Sequence, residues 1–462
     1  ASGSVNINRR GALLMAVDAK HPDMTAERLA EWRLMADAMT GESAMKLAGI
    51  TYLVKPSGFS ALPQNGEPAY AAYKGRAQFP EILAPSVAAM IGIVHGKDID
   101  IQIPAAMDFL RENADGDGLT LDSFHRRITR ALLVDGRYCV LADAPEGGGN
   151  PYMRGYSGSA LINWDRDWYV LDECGYVRSG FDWAKVERYR VLMLDGGVYV
   201  QTLYTKSDKG EFIQTELAPM ARGNVRLPVI PLAVASARDL SPTVEPPPLI
   251  GVARAALAIY QLSADYRHQL YMSGQETLVA INGPAPTAVG AGVVHTMQGG
   301  DGITPDLKYV SPSCSGIDAH KLAMEDNRTA AVQAGARLLE QSDQVQESGN
   351  ARKLRFASET ATLTSIALAS CALLEKSLRN VGLLMGIPVE DIIVTPPKDL
   401  LDSTMTPADA QALVAVWQAG GISYQTLYEN LARGGIASAE RDHVEETSLL
   451  DQEQVGSDSG LI

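Results

Sequence analysis

PPPLIGVARAALAIYQLSADYRHQLYMSG, residues Pro246–Gly274, is the stretch on which the fold turns. Three prolines open it. Leu249, Val252, Leu257, Tyr260, Leu262, Tyr266 and Leu270 then recur with helical periodicity and no further proline. Proline suits a first helical turn, because the N–H it lacks would have no partner there. Read from Pro247 to Ser273, the helix would run roughly 40 Å, long for a globular domain. Downstream the texture changes. Residues 274–315 are rich in Gly, Pro, Ser and Thr, with β-like runs at Thr277–Asn282, Val293–Gln298 and Leu307–Val310. A second, Ala-rich helix is expected from Ile317 to about Val345. A loop over Glu347–Ser358, carrying Arg352, Lys353 and Arg355, separates it from a third long helix, Glu359–Met385.

Composition sets the bounds. With 462 residues, 46% hydrophobic and 21% charged, the chain has globular usage and is long enough for more than one domain or an elongated subunit. A net charge of −15 argues against a broad grip on DNA phosphates but not against a protein past which DNA slides. Cys139, Cys174, Cys314 and Cys371 lie far apart without a CxxC, and read as buried free thiols in a reducing compartment. No signal-type apolar run opens the chain, and the longest apolar stretches, Ala12–Val17 and Ile366–Leu374, are too short to span a bilayer. A soluble intracellular chain with no membrane partner is the expectation.

Working outward, an amphipathic helix from Thr25 stops at Gly41, and Val87–Val94 reads as buried. In Asn113–Phe124 the spacing of Asp115, Asp117 and Gly118 imitates a calcium loop. Phe124 stands where the bidentate Glu is needed, so the segment reads as a polar turn that caps a helix over Leu121–Val134. Arg137–Asp143 reads as a strand, and residues 160–216 as β-rich. There Asp195–Gly196–Gly197 and Ser207–Gly210 form turns, and Trp164, Trp168 and Trp183 pack the sheet rather than form a ligand platform. After a linker over Gly386–Pro397, Thr406–Pro407 starts a C-terminal helix, another begins at Ser423, and an acidic tail closes the chain.

A catalytic constellation does not emerge. The seven histidines are scattered without HExxH spacing; no GxSxG, Walker or GxGxxG motif occurs. No metal and no cofactor are expected, and no enzymatic activity; a hidden carboxylate pair is the one enzyme signal that a single sequence would not reveal.

The order of long helix, β module, long helix, loop and long helix resembles the stem, clip, tunnel loop and following helix of tailed-bacteriophage portal proteins. Local stretches are similar to one uncharacterised-domain branch of that superfamily. They are Met39–Thr40–Gly41–Glu42–Ser43, Val134–Asp135–Gly136–Arg137–Tyr138, Ile162–Asn163–Trp164, Ser263–Ala264–Asp265–Tyr266, Glu347–Ser348–Gly349–Asn350–Ala351 and Glu359–Thr360–Ala361. The likeness runs over roughly Ala26 to Ala437. It implies an α+β portal fold with a mixed wing (1–245), stem helices (246–273 and 316–346), a clip (274–315), a tunnel loop (347–358), a long wing helix with linker (359–399) and a helical crown with an acidic tail (400–462). It also implies a ring of about twelve subunits at one capsid vertex, through which double-stranded DNA is packaged and ejected. The implied partners are the terminase large subunit, a head–tail adaptor and the major capsid or scaffolding protein; the implied location is the virion, with the host cytoplasm during assembly. Arg352, Lys353 and Arg355 would then form a belt facing DNA. Read from the residues alone, the same three are a solvated loop or pair with Glu347 and Glu359. Another virion ring or adaptor, and a hydrolase with a helical cap, are the alternative readings.

Overall fold

The computed structural model describes residues 17–96, 99–145, 148–207, 209–217, 219–223, 225–274, 276–290, 292–298, 300, 302–311, 316–335, 349–397, 407–433, 437–438 and 441–449, with backbone alone over 349–361. It comprises two compact units, Ala1–Pro396 and Pro397–Ile462.

The first unit begins with helices α1 (Ala26–Thr40), α2 (Glu42–Ala48), α3 (Glu67–Arg76) and α4 (Leu83–Val94). Strand β1 (Asp100–Gln102), the single turn α5 (Phe109–Glu112) and α6 (Leu121–Asp135) follow. Next comes a β-rich passage: β2 (Arg137–Asp143), β3 (Tyr152–Ser157), β4 (Leu161–Asp165), β5 (Trp168–Asp172), β6 (Gly175–Ser179), β7 (Asp182–Val186), β8 (Arg188–Asp195), β9 (Val198–Lys206), β10 (Phe212–Leu217), β11 (Met220–Ala221), β12 (Val225–Arg226) and β13 (Leu232–Ser236). The unit closes with α7 (Ile250–Ser273), β14 (Thr277–Ile281), β15 (Asp306–Val310), α8 (Ile317–Gln333), α9 (Gly349–Met385) and β16 (Ile393–Thr395). The α+β class expected from the sequence is the observed one.

Two antiparallel sheets carry the β-rich passage, one ordered β13–β2–β3 and the other β10–β9–β8–β5–β4. Residues 137–142 of β2 are all buried, because α6 and α9 pack against this strand. The apolar face of α6 is Leu121, Phe124, Ile128 and Leu132, at helical spacing, and every one is buried. Its first turn is capped by Thr120, whose hydroxyl accepts from Ser123 N–H, and the Gly136 N–H closes the other end on Leu132 O. The calcium-like segment is the polar turn expected. Asp115 Oδ1 accepts from the N–H groups of Asp117 and Leu119, and Asn113 Oδ1 from that of Gly118. The β8–β9 turn is Gly196–Gly197 with φ of +60° and +80°, the left-handed pair that a tight hairpin needs.

Several expectations are corrected. Val293–Gln298 forms no strand; among the described residues β14 pairs with β15 alone. The segment expected as a tunnel loop, Glu347–Ser358, is helical from Gly349 onward, as the first turns of α9. Ala351–Arg352–Lys353–Leu354–Arg355 are all strong helix formers with no β-branched residue or proline among them, so nothing local stops the helix there. Trp164 is buried and stacked on His21, and Trp168 packs on the sheet core, but Trp183 stands 62% exposed. Cys139 and Cys371 are buried thiols whereas Cys174 is exposed; Cys314 lies outside the described residues.

Two histidines that the sequence keeps thirty residues apart meet between α4, α6 and α9. The His95 and His125 rings lie 4.8 Å apart edge to face. Thr129 hydroxyl donates to His125 O, so it accepts from His95 Nε2–H; Ser370 hydroxyl donates to Ala367 O, so it accepts from His125 Nε2–H. Nε2 of each ring is therefore the donor. Burial pushes the pKa of His125 down to about 3 and that of His95 to about 4. Below the unfolded value near 6.5 the unfolded chain takes up protons that these rings refuse, so stability falls as pH drops towards 3. His125 alone should cost about 2 kcal/mol at pH 5. Asp135 works the other way: burial raises it to about 6, so it gains a proton in the folded state over part of the same range. We expect His125→Gln to flatten the acid loss, read as the difference in urea midpoint between pH 7 and pH 5. An unchanged difference would show that the histidine does not control it.

In the second unit, α10 (Pro407–Gln418) starts at the expected proline, while Thr406 lies outside the described residues. Ser423 caps α11 (Tyr424–Arg433) by accepting from Thr426 N–H. Leu427 and Tyr428 are buried, and Tyr424 lies between Trp417 and Tyr428.

Candidate functional site

Helix α7 is the root of an arm. Along α7 the residues from Ile250 to Ala264 supply its buried positions, and none of the remaining residues up to Ser273 is buried. The N-terminal helices hold it sideways. Arg254 donates to Glu31 (2.6 Å), Gln261 Nε2 to Tyr52 O (2.8 Å), and Ser263 Oγ accepts from Gln78 N–H (2.8 Å). Farther out, Tyr73 hydroxyl donates to Asp265, His268 sits edge-on to Phe59 and Tyr73, and the Arg76 guanidinium lies 4.1 Å over the Tyr271 ring. Burial first, then the Asp265 hydrogen bond, holds the Tyr73 hydroxyl far above the usual tyrosine pKa. Burial and the nearby Arg76 lower that of His268, which favours a neutral ring between its aromatic neighbours.

Helix α8 returns antiparallel along α7. At the base, a Cβ on Gly251 would stand 2.9 Å from Ala334 Cβ, so only glycine allows this approach of the two backbones. At the far end the Gln269 side chain reaches Gly316. Between the helices the chain makes the β14–β15 ribbon, in register from Thr277↔Val310 to Ile281↔Asp306. Large apolar side chains are left uncovered on this module: Val289, Val294, Ile303 and Tyr309, with Leu270 and Leu322 on the helices. Such a concentration on a narrow arm marks an interaction surface rather than a chemical one.

Arg352, Lys353 and Arg355 occupy the first two turns of α9, and their side chains lie outside the described part of the structure. On a helix, positions 352 and 355 share a face and position 353 lies about 100° round from 352. The backbone thus brings two of the three to one face rather than all three to one loop tip. The expected stem segment 316–346 is described only to residue 335, where α8 has already ended.

A cavity of about 400 Å³ opens elsewhere in the unit, lined by His95, Ile101, Arg111, Asp122, His125 and Arg126. Its cations are already engaged. Arg126 donates to Asp122 (2.8 Å), and Arg111 to Asp108 (3.4 Å) and Ile101 O (3.1 Å). The histidine pair at its wall was not legible from spacing; only the fold brings α4 to α6.

Comparison with known proteins follows the same segment. A family described as a domain of unknown function, DUF4055, matches residues 248–382, from just before α7 to near the end of α9. Among solved structures, the chain is similar to one from the neck of an empty gene transfer agent particle, at 15% identity and a TM-score of 0.39, covering 77% of this chain and 90% of that one. It is similar to one from the virion of a native gene transfer agent particle, at 15% identity and a TM-score of 0.42, covering 76% and 89%. A third, from the neck of a native gene transfer agent particle, matches at 14% identity and a TM-score of 0.38, covering 84% and 98%. No curated protein matches the chain in sequence.

Proposed function

We propose that the chain is the subunit of a virion ring, of the portal type, set at one vertex of a phage-like capsid. The observation that carries this reading is the arm: two antiparallel helices, rooted by buried residues in the body, with a β ribbon and uncovered apolar side chains beyond the root. Among the described residues nothing covers those side chains, whereas side-by-side copies in a ring cover them by closure. Helix, β ribbon, helix and the long α9 follow one another in the order of the portal resemblance, although the expected loop before α9 is helical from Gly349.

In this reading about twelve copies close the ring, and double-stranded DNA passes through during packaging and ejection. The arm's ribbon end docks the terminase large subunit and later a head–tail adaptor, and the body meets the capsid or scaffolding protein. The chain performs no catalysis itself; the motor is the terminase. Arg352, Lys353 and Arg355 supply weak, salt-screened phosphate contacts in an otherwise acidic protein, so DNA is touched without being held.

Purified chain under assembly-promoting conditions should give rings with a central hole in negative-stain micrographs; particles no larger than dimers would end the ring reading. Replacing Arg352, Lys353 and Arg355 together with Gln should leave rings intact but shorten the packaged DNA or reduce its retention. Full-length genomes retained at wild-type yield would remove these residues from the channel.

A further inference from the structure

The β6–β7 ribbon stands apart from both large sheets and pairs with no other strand among the described residues. A two-stranded ribbon alone in water is marginal, so exposed aromatic side chains on one call for an explanation. The register supplies it. Tyr176 lies opposite Lys185, and Arg178 opposite Trp183. Because side chains alternate along a strand, these four share one face, while Val177, Ser179, Asp182 and Ala184 share the other. All four are exposed, Tyr176 at 69% and Trp183 at 62%. At the tip, Phe181 is fully exposed under the Arg178 guanidinium, which donates to Gly180 O at 2.7 Å. The ribbon carries two cations and one carboxylate, and the carboxylate is on the far face, in a chain of net charge −15.

We propose that this face binds single-stranded nucleic acid, with bases stacking on Tyr176 and Trp183 while Lys185 and Arg178 meet the phosphates. The two aromatics sit on one diagonal of the ribbon, about 7–8 Å apart, and the two cations on the other. An extended single strand offers splayed bases and phosphates in that alternation, whereas a duplex hides its base faces. The segregation of charge and ring to one face favours a polyanion with flat groups over an apolar protein partner, which would equally use Val177 and Ala184. The inference stands apart from the portal reading, which concerns duplex DNA.

Anisotropy of fluorescein-labelled oligothymidylate with the full chain tests it. Binding at low salt is expected. Tyr176→Ala with Trp183→Ala should weaken it by about 30-fold or more, whereas Tyr176→Phe with Trp183→Phe should preserve it. Arg178→Gln with Lys185→Gln should reduce the slope of log affinity against log salt by about 1.4. The two phenylalanine replacements separate lost stacking from a collapsed ribbon. The proposal fails if no binding occurs at low salt or if the alanine pair binds as tightly as the wild type. It also fails if a duplex of equal length binds with the same aromatic dependence. Displacement of the oligonucleotide by polyglutamate at equal charge would instead identify a surface for acidic protein segments.

Discussion

Replacing Arg137 with Met should destabilise the first unit by about 3–5 kcal/mol, as much as removing one partner of a buried ion pair. Arg137 opens β2 and is wholly buried. Its guanidinium donates to Gly158 O, Leu161 O and Pro242 O, tying the β3–β4 connection and the approach to α7 to one side chain. It lies 4.8 Å from the Trp164 ring and 5.4 Å from that of Trp32, whose own Nε1–H donates to Asp135 O. Methionine fills most of the volume but removes the donor to the buried Gly158 and Leu161 carbonyls and to the half-buried Pro242 carbonyl, and a buried carbonyl left unsatisfied costs about 1–3 kcal/mol. Burial lowers the Arg137 pKa, yet a guanidinium stays charged at neutral pH, so the wild type keeps its donors. Lysine retains charge but not the planar fork, so Arg137→Lys should recover only part of the loss. Urea unfolding decides it: a loss under about 1 kcal/mol for Arg137→Met would show that the carbonyls find other partners. If Arg137→Met does not fold, Arg137→Lys carries the comparison.

Position 137 also shows where sequence reading stops. Val134–Asp135–Gly136–Arg137–Tyr138 displays a helix end and a strand start, and both occur there. That the arginine points into the core depends on Trp32, Trp164 and Pro242, which the fold brings from three distant segments. The arm root was legible because prolines and helical periodicity are local signals, and so were the Gly196–Gly197 hairpin and the Asn113–Phe124 turn. Val293–Gln298 has the pattern of a strand but no partner, and a strand requires one. Trp183 reads as core by residue type, yet its register places it on a ribbon with nothing above it. The basic segment after Gly349 has the glycine and charge of a loop, although its residues favour helix and extend α9.

The second large effect is expected at Arg190 on β8. Its Nε donates to Glu173 (2.7 Å) and its Nη1 to Gln201 (2.5 Å) and Asp143 (3.2 Å), and all four side chains are mostly or fully buried. Tyr156 hydroxyl donates to the same Glu173 oxygen at 2.7 Å. Arg188 Nε lies 3.0 Å from the other oxygen, near enough for an ion pair but off the direction of a hydrogen bond. Burial alone would raise the Glu173 pKa; the charge and hydrogen bond of Arg190 outweigh it and hold the carboxyl below the usual range. Arg190→Met leaves the Glu173 and Asp143 carboxylates without their shared cation and should cost about 3 kcal/mol at pH 7. Its pH dependence should also change. In the wild type the depressed Glu173 stabilises above the unfolded value of 4.5, and that contribution is lost as pH falls. In the variant Arg190, the strongest lowering partner, is gone, and burial is opposed by the Tyr156 hydrogen bond and the outlying Arg154, so the folded pKa rises relative to the wild type and acidification from pH 7 towards 5 should cost less stability or restore it. Adding Glu173→Gln and Asp143→Asn to Arg190→Met should recover most of the loss, because a neutral hydrogen-bonded cluster needs no buried counter-charge. Equal urea midpoints for the single and triple variants at pH 7 would show that packing, not uncompensated charge, sets the cost.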